Sequence, residues 1–287
     1  LQLIAEETLK AAQARLKTGG AENASLVSIN PKTGDVLAMV GSVDYFSKEI
    51  DGNVNIAVRN RSPGSSIKPF IYTAAFLKGY RPETVLVDAL TDFGQGYTPK
   101  NYDLKEHGPV SMRIALDNSY NIPAVKTLYL AGVKNTVDLA QKMGLETLTD
   151  PDRYGLSLAL GGGDVRLLDM AGAFGIFANE GTKVPSRAIL KVEHGSEVLF
   201  DASKTPVQGT EALDPQIART LTNVLSDNNA RAATFGARSP LQLGVRPVAA
   251  KTGTSQDFRD GWTYGYTPSL VTGVWTGNND NSPMKNN

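Results

Sequence analysis

A serine and a lysine stand three positions apart, Ser65 and Lys68, where a strongly apolar helical pattern begins. Positions i and i+3 of a helix share a face, so a hydroxyl and an amine at this spacing can meet. A neutral lysine beside a serine is a general base beside a nucleophile, the pairing acyl transfer uses. Pro69 is tolerated there because first-turn amides have no helical partner. The positive end of the helix dipole and its free amides also favour an anion at Ser65. Taken alone, though, Ser65 is better explained as an ordinary N-cap.

Short patterns recur by accident, so each copy is weighed by its setting. Ser-x-x-Lys occurs again at Ser282–Lys285, straddling Pro283 in a polar tail, where chance explains it. Ser-x-Asn occurs at Ser28–Asn30, Ser119–Asn121 and Ser226–Asn228. Ser28 ends a strand before a turn. Ser226 closes a helix and enters a polar loop, 25 residues before Lys251. Ser119 lies between helical segments, 54 residues after Ser65, and can be projected into a cleft shared with the Ser65 helix. Lys-Thr-Gly occurs at Lys17, Lys32 and Lys251. The first copy ends a helix and the second makes a hairpin turn, both explained by their glycines. The third follows the strand-like Arg246–Ala250 and continues into Thr254 and Ser255. A strand ending in small residues lets a substrate backbone lie alongside it. Its lysine, threonines and amides suit a carboxylate.

The elements that must hold these residues are legible from periodicity. Leu1, Ala5, Leu9, Ala12 and Leu16 form one helical stripe, ended by Gly19 and Gly20. Apolar runs at Ala24–Ile29 and Asp35–Val40 flank the turn Asn30–Gly34 and predict a hairpin. Residues 42–62 read as loop. From Pro63 helical signals dominate to about residue 180: Ile67–Leu77, Met112–Asn118, Ile122–Ala131, Val133–Met143 and Leu167–Asn179. Ala188–Glu193 and Val198–Phe200 alternate like strands, and Asp214–Ser226 is an amphipathic helix. Val245–Lys251, Gly261–Gly265 and Leu270–Trp275 predict short closing strands. Strands at both ends around a helical middle predict an α/β (α+β) fold with an inserted helical lobe. The predicted division is residues 1–62 and 183–287 for the α/β lobe and 63–182 for the helical lobe.

Composition narrows the function classes. The 287 residues carry 29 basic and 29 acidic side chains, a formal net charge of zero, with no basic stripe to attract nucleic acid. There is no cysteine, which excludes disulfides, thiolate metal sites and a cysteine nucleophile. His107 and His194 lie far apart, and neither sits in the context of a Ser-His-Asp triad. No apolar run reaches the roughly 18 residues of a membrane span. Gly161–Gly163 is not a phosphate loop, since the following lysine is missing and Asp164 would repel phosphate. Trp262, Tyr264 and Trp275 read as sheet packing. Asp257, Arg259 and Asp260 read as a solvated turn, with Arg259 a weak substrate contact.

The chain resembles the transpeptidase domain of class A, bifunctional penicillin-binding proteins. Arg61–Phe70 resembles the family's nucleophile segment. Asn101-Tyr102-Asp103 and Ala115–Val125 resemble its second motif, and Leu156–Gly161 with Met170–Asn179 a helical stretch. Lys251–Ser255, Gly265–Pro268 and Val271–Trp275 resemble the third motif and last strands. The matches keep the family's order across nearly the whole chain, which favours Ser65, Ser119 and Lys251 over their decoys.

The resemblance implies a penicillin-recognising, β-lactamase-like fold with a central antiparallel sheet flanked by helices. It implies a D,D-transpeptidase that cross-links D-Ala-D-Ala stem peptides of peptidoglycan through a serine acyl-enzyme and is acylated by β-lactams. Ser65 would attack, Lys68 would act as base, Ser119 would relay a proton, and Asn121 would hold Lys68 and the substrate amide. Lys251, Thr252 and Thr254 would grip the substrate's carboxylate, and Gly253 and Ser255 would also bind substrate. The amides of Ser65 and Thr254 would form an oxyanion hole, typically worth about 3–4 kcal/mol. Lowering a lysine from about 10.4 to about 7 takes about 4 kcal/mol, which burial and the second cation, Lys251, would supply. No metal or organic cofactor is implied.

The family pattern also carries a glycan-polymerising domain, linker and membrane anchor before this segment and a closing helix after it, and neither is expected in this chain. It implies a place on the outer face of the cytoplasmic membrane beside the cell-wall synthesis machinery. Alternatives on the same fold are a D,D-carboxypeptidase, a β-lactamase, and a β-lactam sensor or scaffold without turnover. A class A β-lactamase would need Glu-x-x-Leu-Asn, which is absent from the sequence.

Overall fold

The computed structural model describes residues 1–205 and 207–285. In chain order the elements are α1 (Gln2–Thr18), β1 (Asn23–Ile29), β2 (Val36–Val40), α2 (Lys68–Leu77), β3 (Val85–Asp88), β4 (Gly108–Ser111), α3 (Met112–Asp117), α4 (Asn121–Ala131), α5 (Val133–Lys142) and α6 (Leu167–Ala178). There follow β5 (Thr182–Lys183), β6 (Lys191–His194), β7 (Glu197–Asp201), β8 (Thr210–Glu211), α7 (Pro215–Leu225), α8 (Ala232–Phe235), β9 (Ala249–Thr254), β10 (Asp260–Thr267) and β11 (Leu270–Gly277).

A five-stranded antiparallel sheet in the order β2-β1-β11-β10-β9 joins the first strands of the chain to the last. Along β10 the residues Asp260, Trp262, Tyr264 and Tyr266 are buried and their neighbours less so, the period-2 pattern of a strand with one face on a core. That face meets α6, which is apolar on nearly every side and wholly buried over Ala173–Ala178. Phe174 stacks on Tyr264 with ring centroids 4.6 Å apart and meets Phe70 of α2 edge to face at 5.8 Å. These rings tie the sheet to the helical layer. On the opposite face α1 sets Ala5 and Leu9 against Ala24, Leu26, Ala38 and Val40. Beside it the segment Pro240–Val248 and β9–β11 enclose an apolar cavity of about 490 Å³.

Helix α2 has Lys68 through Phe76 buried, so it is a central helix and not a surface one. Helices α4, α5 and α7 surround it.

The helical expectations agree with these elements to within a residue or two. One strand expectation is corrected. The third motif does not follow its strand but lies within it: β9 begins only at Ala249, after Pro247, which has no amide to donate. The alternating segment near residue 190 forms an exposed two-stranded hairpin, β6–β7, outside the central sheet. The small β3–β4 hairpin was not anticipated; a proline within β4 and short strands hide it from periodicity.

Candidate active site

The serine of the first motif stands in a tight turn. Gly64–Ile67 is a 3-10 turn that runs directly into α2, and the Lys68 amide donates to the Ser65 carbonyl. In a 3-10 turn residues i and i+3 eclipse, which aligns Ser65 and Lys68 more closely than an α-helical turn would. Two backbone segments, the end of β9 and Gly161, press on this turn. Gly64 has φ +50°, and a Cβ there would lie 2.1 Å from the Thr254 carbonyl oxygen. A Cβ on Gly253 would lie 2.6 Å from the Pro63 oxygen and 2.7 Å from the Ser66 nitrogen. From the other side Gly161 abuts Gly64, and its carbonyl accepts from Ser62 Oγ at 2.9 Å. Ser66 Oγ turns inward to the Pro63 carbonyl at 2.8 Å, so of the two serines only Ser65 faces the cleft.

The Lys68 amine is fully buried and points across to the second motif. It donates to the carbonyl of Ser119 at 2.7 Å, to that of Tyr120 at 3.1 Å and to Asn121 Oδ1 at 2.8 Å. The Ser119 hydroxyl lies 3.5 Å from the same amine and accepts from Lys251 Nζ at 2.9 Å. Lys251 Nζ also donates to the Thr252 carbonyl at 2.7 Å. Lys68, Ser119, Asn121 and Lys251 therefore form one hydrogen-bonded cluster drawn from three elements, the start of α2, the α3–α4 junction and β9, and Ser65 stands on the turn that leads into α2. Ser119 sits at φ +58°, a left-handed conformation unusual for a serine. Strain of this kind persists where the surroundings over-determine it.

What over-determines it is a set of buried side chains without catalytic chemistry of their own. Asn101 accepts the amides of Asn121 and Ile122 at 2.8 and 3.3 Å, taking orphan donors at the start of α4. Its amide donates to both Asp88 oxygens, at 2.9 and 2.7 Å. Asp88 also holds His107 Nδ1 at 2.6 Å, and that ring stacks on Tyr120 at 3.9 Å. His107 is thus a structural tether. On the other side Asn118 donates to the Ala230 carbonyl at 2.7 Å and accepts from the Thr234 amide at 2.9 Å. Arg231, buried, reaches the Ala250 carbonyl of β9 at 3.4 Å. Asn101 and Asn118 stand in motif contexts in the sequence, but nothing there signals their bonds. For Arg231 no motif marks it.

Strand β9 is the edge of the sheet, paired only with β10. The Ser255 amide donates to the Asp260 carbonyl at 3.0 Å, so the alternation of the ladder turns the Thr252 and Thr254 amides toward the open edge. That edge faces the Gly64–Ser65 turn. Lys251 and Gly253 are buried, Thr252 is half-buried, Thr254 is exposed and Ser255 is buried. The solvated-turn reading of Asp260 is corrected: it is 2% exposed, accepts from Trp275 Nε1 at 2.8 Å and bonds the Ser255 hydroxyl at 2.8 Å. The turn itself is strained, with Asp257 and Phe258 both left-handed, at φ +57° and +55°. Phe258 meets Tyr102 edge to face at 6.2 Å, bridging the helical layer and the end of β9.

Electrostatics sharpen the cluster. Burial, then the charge of Lys251, push the Lys68 amine well below its ordinary value. Burial pushes Lys251 down to about 7, with Arg231 acting in the same sense and Asp117 against it. Burial raises Asp117 to about 8, and among the described residues neither of its oxygens has a hydrogen-bond partner. The decoys lie elsewhere: Ser28 bonds Thr272 within the sheet at 2.8 Å, Ser226 caps α7, and the Lys285 amide pairs with Gly19.

Residues 24–282 match the family described as the penicillin binding protein transpeptidase domain. The chain is 36% identical over 264 residues to penicillin-binding protein 1A of Neisseria cinerea, covering 88% of this chain and 32% of that one. To the protein of the same name from Aquifex aeolicus it is 35% identical over 259 residues, covering 88% and 34%. Among solved structures, the penicillin-binding protein PonA1 from Mycobacterium tuberculosis superposes with a TM-score of 0.83 at 26% identity, covering 96% of this chain and 74% of that one. Penicillin-binding protein 1A from Haemophilus influenzae gives 0.77 at 27%, covering 90% and 44%. The chain therefore belongs to the penicillin-binding protein transpeptidase family. Its curated relatives are class A members, and it spans about a third of their length. Among the described residues no helix is long and apolar enough to cross a membrane.

Proposed function

We propose that this chain is a serine D,D-transpeptidase domain acting on the D-Ala-D-Ala ends of peptidoglycan stem peptides. One observation carries the reading: Lys68 and Lys251, two buried amines of depressed basicity, meet on either side of Ser119 beside the eclipsed Ser65–Lys68 turn. Ser65 Oγ bonds to the penultimate carbonyl carbon as neutral Lys68 takes its proton. The carbonyl oxygen becomes an oxyanion held by the Ser65 and Thr254 amides. The C–N bond then breaks, and the proton passes through Ser119 to the departing D-Ala amine. An acceptor amine attacks the ester carbonyl and gives a proton to Lys68, the C–O bond to Ser65 breaks, and Lys68 returns that proton to the departing Ser65 Oγ, which restores the free serine and the neutral lysine. Lys251, Thr252 and Thr254 hold the terminal carboxylate, and Asn121 holds Lys68 and the substrate amide.

A β-lactam presents the same carboxylate and reactive carbonyl, and it acylates the same oxygen. Within a longer protein anchored to the membrane, this domain would work on the outer face with the rest of the cell-wall synthesis machinery. The first test is intact-mass spectrometry after incubation with benzylpenicillin, comparing the parent with Ser65→Ala. One persistent adduct on the parent and none on the variant supports the reading. A transient adduct with consumed drug would replace it with a β-lactamase, and no adduct on the parent would overturn it.

A further inference from the structure

The Lys68 amine has three close acceptors: the carbonyls of Ser119 and Tyr120, at 2.7 and 3.1 Å, and Asn121 Oδ1, at 2.8 Å. An ammonium has three N–H groups and satisfies all of them. The neutral amine that acylation requires has two N–H groups and a lone pair, so one acceptor must let go. The Tyr120 carbonyl makes the longest of these contacts and is the acceptor released. How firmly it is held bears on the proton affinity of the base, because an acceptor at the amine favours the charged form.

Tyr120 is held at both ends. Its amide donates to the Ala115 carbonyl at 2.9 Å, and its ring lies flat on His107, with centroids 3.9 Å apart and planes at 10°. His107 is in turn clamped. Asp88, from β3, accepts from its amide at 3.1 Å and meets Nδ1 at 2.6 Å. Asp103, from the loop before β4, meets Nε2 at 3.1 Å. A ring with a carboxylate at each nitrogen cannot turn or slide beneath the ring it supports. Asp88 is itself fully buried and pinned by both bonds from Asn101. The groups facing His107 are thus these two aspartates and Tyr120. Those facing Lys68 are Ser119, Tyr120, Asn121 and, from β9, Lys251.

We propose that His107 is a positioning residue for acylation: clamped by Asp88 and Asp103, its ring fixes Tyr120 and so keeps the Tyr120 carbonyl on the Lys68 amine. The inference rests on the transpeptidase reading and adds to it a residue outside the three motifs. No bond forms or breaks at His107. The contact aims the amine and at the same time favours its charged form. Loosening it should lower the rate and the basicity of Lys68 together.

The test is the pH profile of benzylpenicillin acylation, followed by intact mass, for the parent, His107→Gln, Tyr120→Leu and the double variant. His107→Gln can still donate to Asp88 but offers no ring, and Tyr120→Leu keeps the carbonyl and loses the stack. Each single variant is expected to move the rising limb to lower pH by about one unit. Each should also lower the maximal rate by about tenfold. The falling limb should stay. His107 is absent from one variant and present in the other, so a shift common to both belongs to Lys68. The double variant should match either single one, since all three cut the same contact. A rising limb that stays in place in Tyr120→Leu would overturn the proposal even if the rate falls, because a merely structural role slows the reaction without moving the limb. Additive shifts in the double variant would overturn it too. Tyr120→Leu carries the test if His107→Gln does not fold. A parent that takes benzylpenicillin beside variants with unmoved limbs sinks the positioning role alone. A parent that forms no adduct sinks the transpeptidase reading, and this role with it.

Discussion

The Ser119 hydroxyl accepts a 2.9 Å hydrogen bond from Lys251, which joins the second motif to the third across the cleft. The carbonyl of the same residue accepts from Lys68 at 2.7 Å. On this left-handed backbone the hydroxyl lies between the two amines while the carbonyl accepts from Lys68. Strain and chemistry are separable here. Ser119→Ala and Ser119→Gly both remove the hydroxyl, so both should lower benzylpenicillin acylation by about 10²-fold or more. Only glycine adopts this φ freely, so Ser119→Gly should be more stable than Ser119→Ala by about 1 kcal/mol. Chemical denaturation of the two variants checks the difference. Equal stabilities would mean that the left-handed backbone costs nothing here.

The two lysines set opposite limbs of a pH profile. Lys68 must be neutral to accept the proton, so acylation rises as pH climbs through its lowered value. Lys251 must be charged to hold a carboxylate, so acylation falls as pH climbs past about 7. The second-order rate constant for benzylpenicillin is therefore expected to be bell-shaped, with its falling limb near neutrality. Lys251→Arg keeps a permanent charge and should push that limb to higher pH, at a cost in rate because the guanidinium is planar and larger. A falling limb that stays in place in Lys251→Arg would assign it to another group.

Why these residues meet was only partly legible in the sequence. The apolar run of α2 is a strong periodic signal that places Ser65 at a helix start, and Lys251 was legible as next to a strand, but not that the strand, β9, is the edge of the sheet. Ser119 was harder, because neither a helix nor a strand predicts a left-handed serine between α3 and α4. Only the packing of α2 against that junction fixes it. The supporting network was invisible for a related reason. Asn101, Asp88, His107 and Arg231 act through bonds to residues 13 to 20 positions away, and no short-range pattern encodes them. Asp260 was misread because two acids around an arginine look like a solvated turn, whereas Trp275 and Ser255 supply the partners that let it be buried.

Asp117 gives a stability prediction with a definite sign. Its carboxyl is raised to about 8 by burial, from an unfolded value near 3.9. Between those values the folded chain binds more protons than the unfolded one, so this group's contribution to stability declines as pH rises through the window. Asp117→Asn removes that dependence. The variant should gain thermal stability relative to the parent as pH goes from acid toward 8, by roughly 2–4 °C for each kcal/mol recovered. Thermal unfolding of both proteins over this range checks it. Parallel curves would mean that Asp117 finds partners that hold its charge.

The last prediction concerns the contact between Gly253 and the nucleophile turn. A Cβ at Gly253 would press on the Pro63 oxygen and the Ser66 nitrogen, both backbone atoms that cannot step aside. Gly253→Ala must therefore shift the Gly64–Ile67 turn or β9, at about 1–3 kcal/mol of overpacking. The displacement falls on Ser65 and on the Thr254 amide, the two groups whose spacing sets the oxyanion hole, so acylation should fall by about 10²-fold, far more than the stability loss explains. Gly79→Ala is the control. Its φ is +93° with nothing within 4 Å, so it carries backbone strain without touching the site. It should lose comparable stability and keep its acylation rate. Comparable loss of acylation in both variants would tie the rate to global stability and remove the turn from the argument.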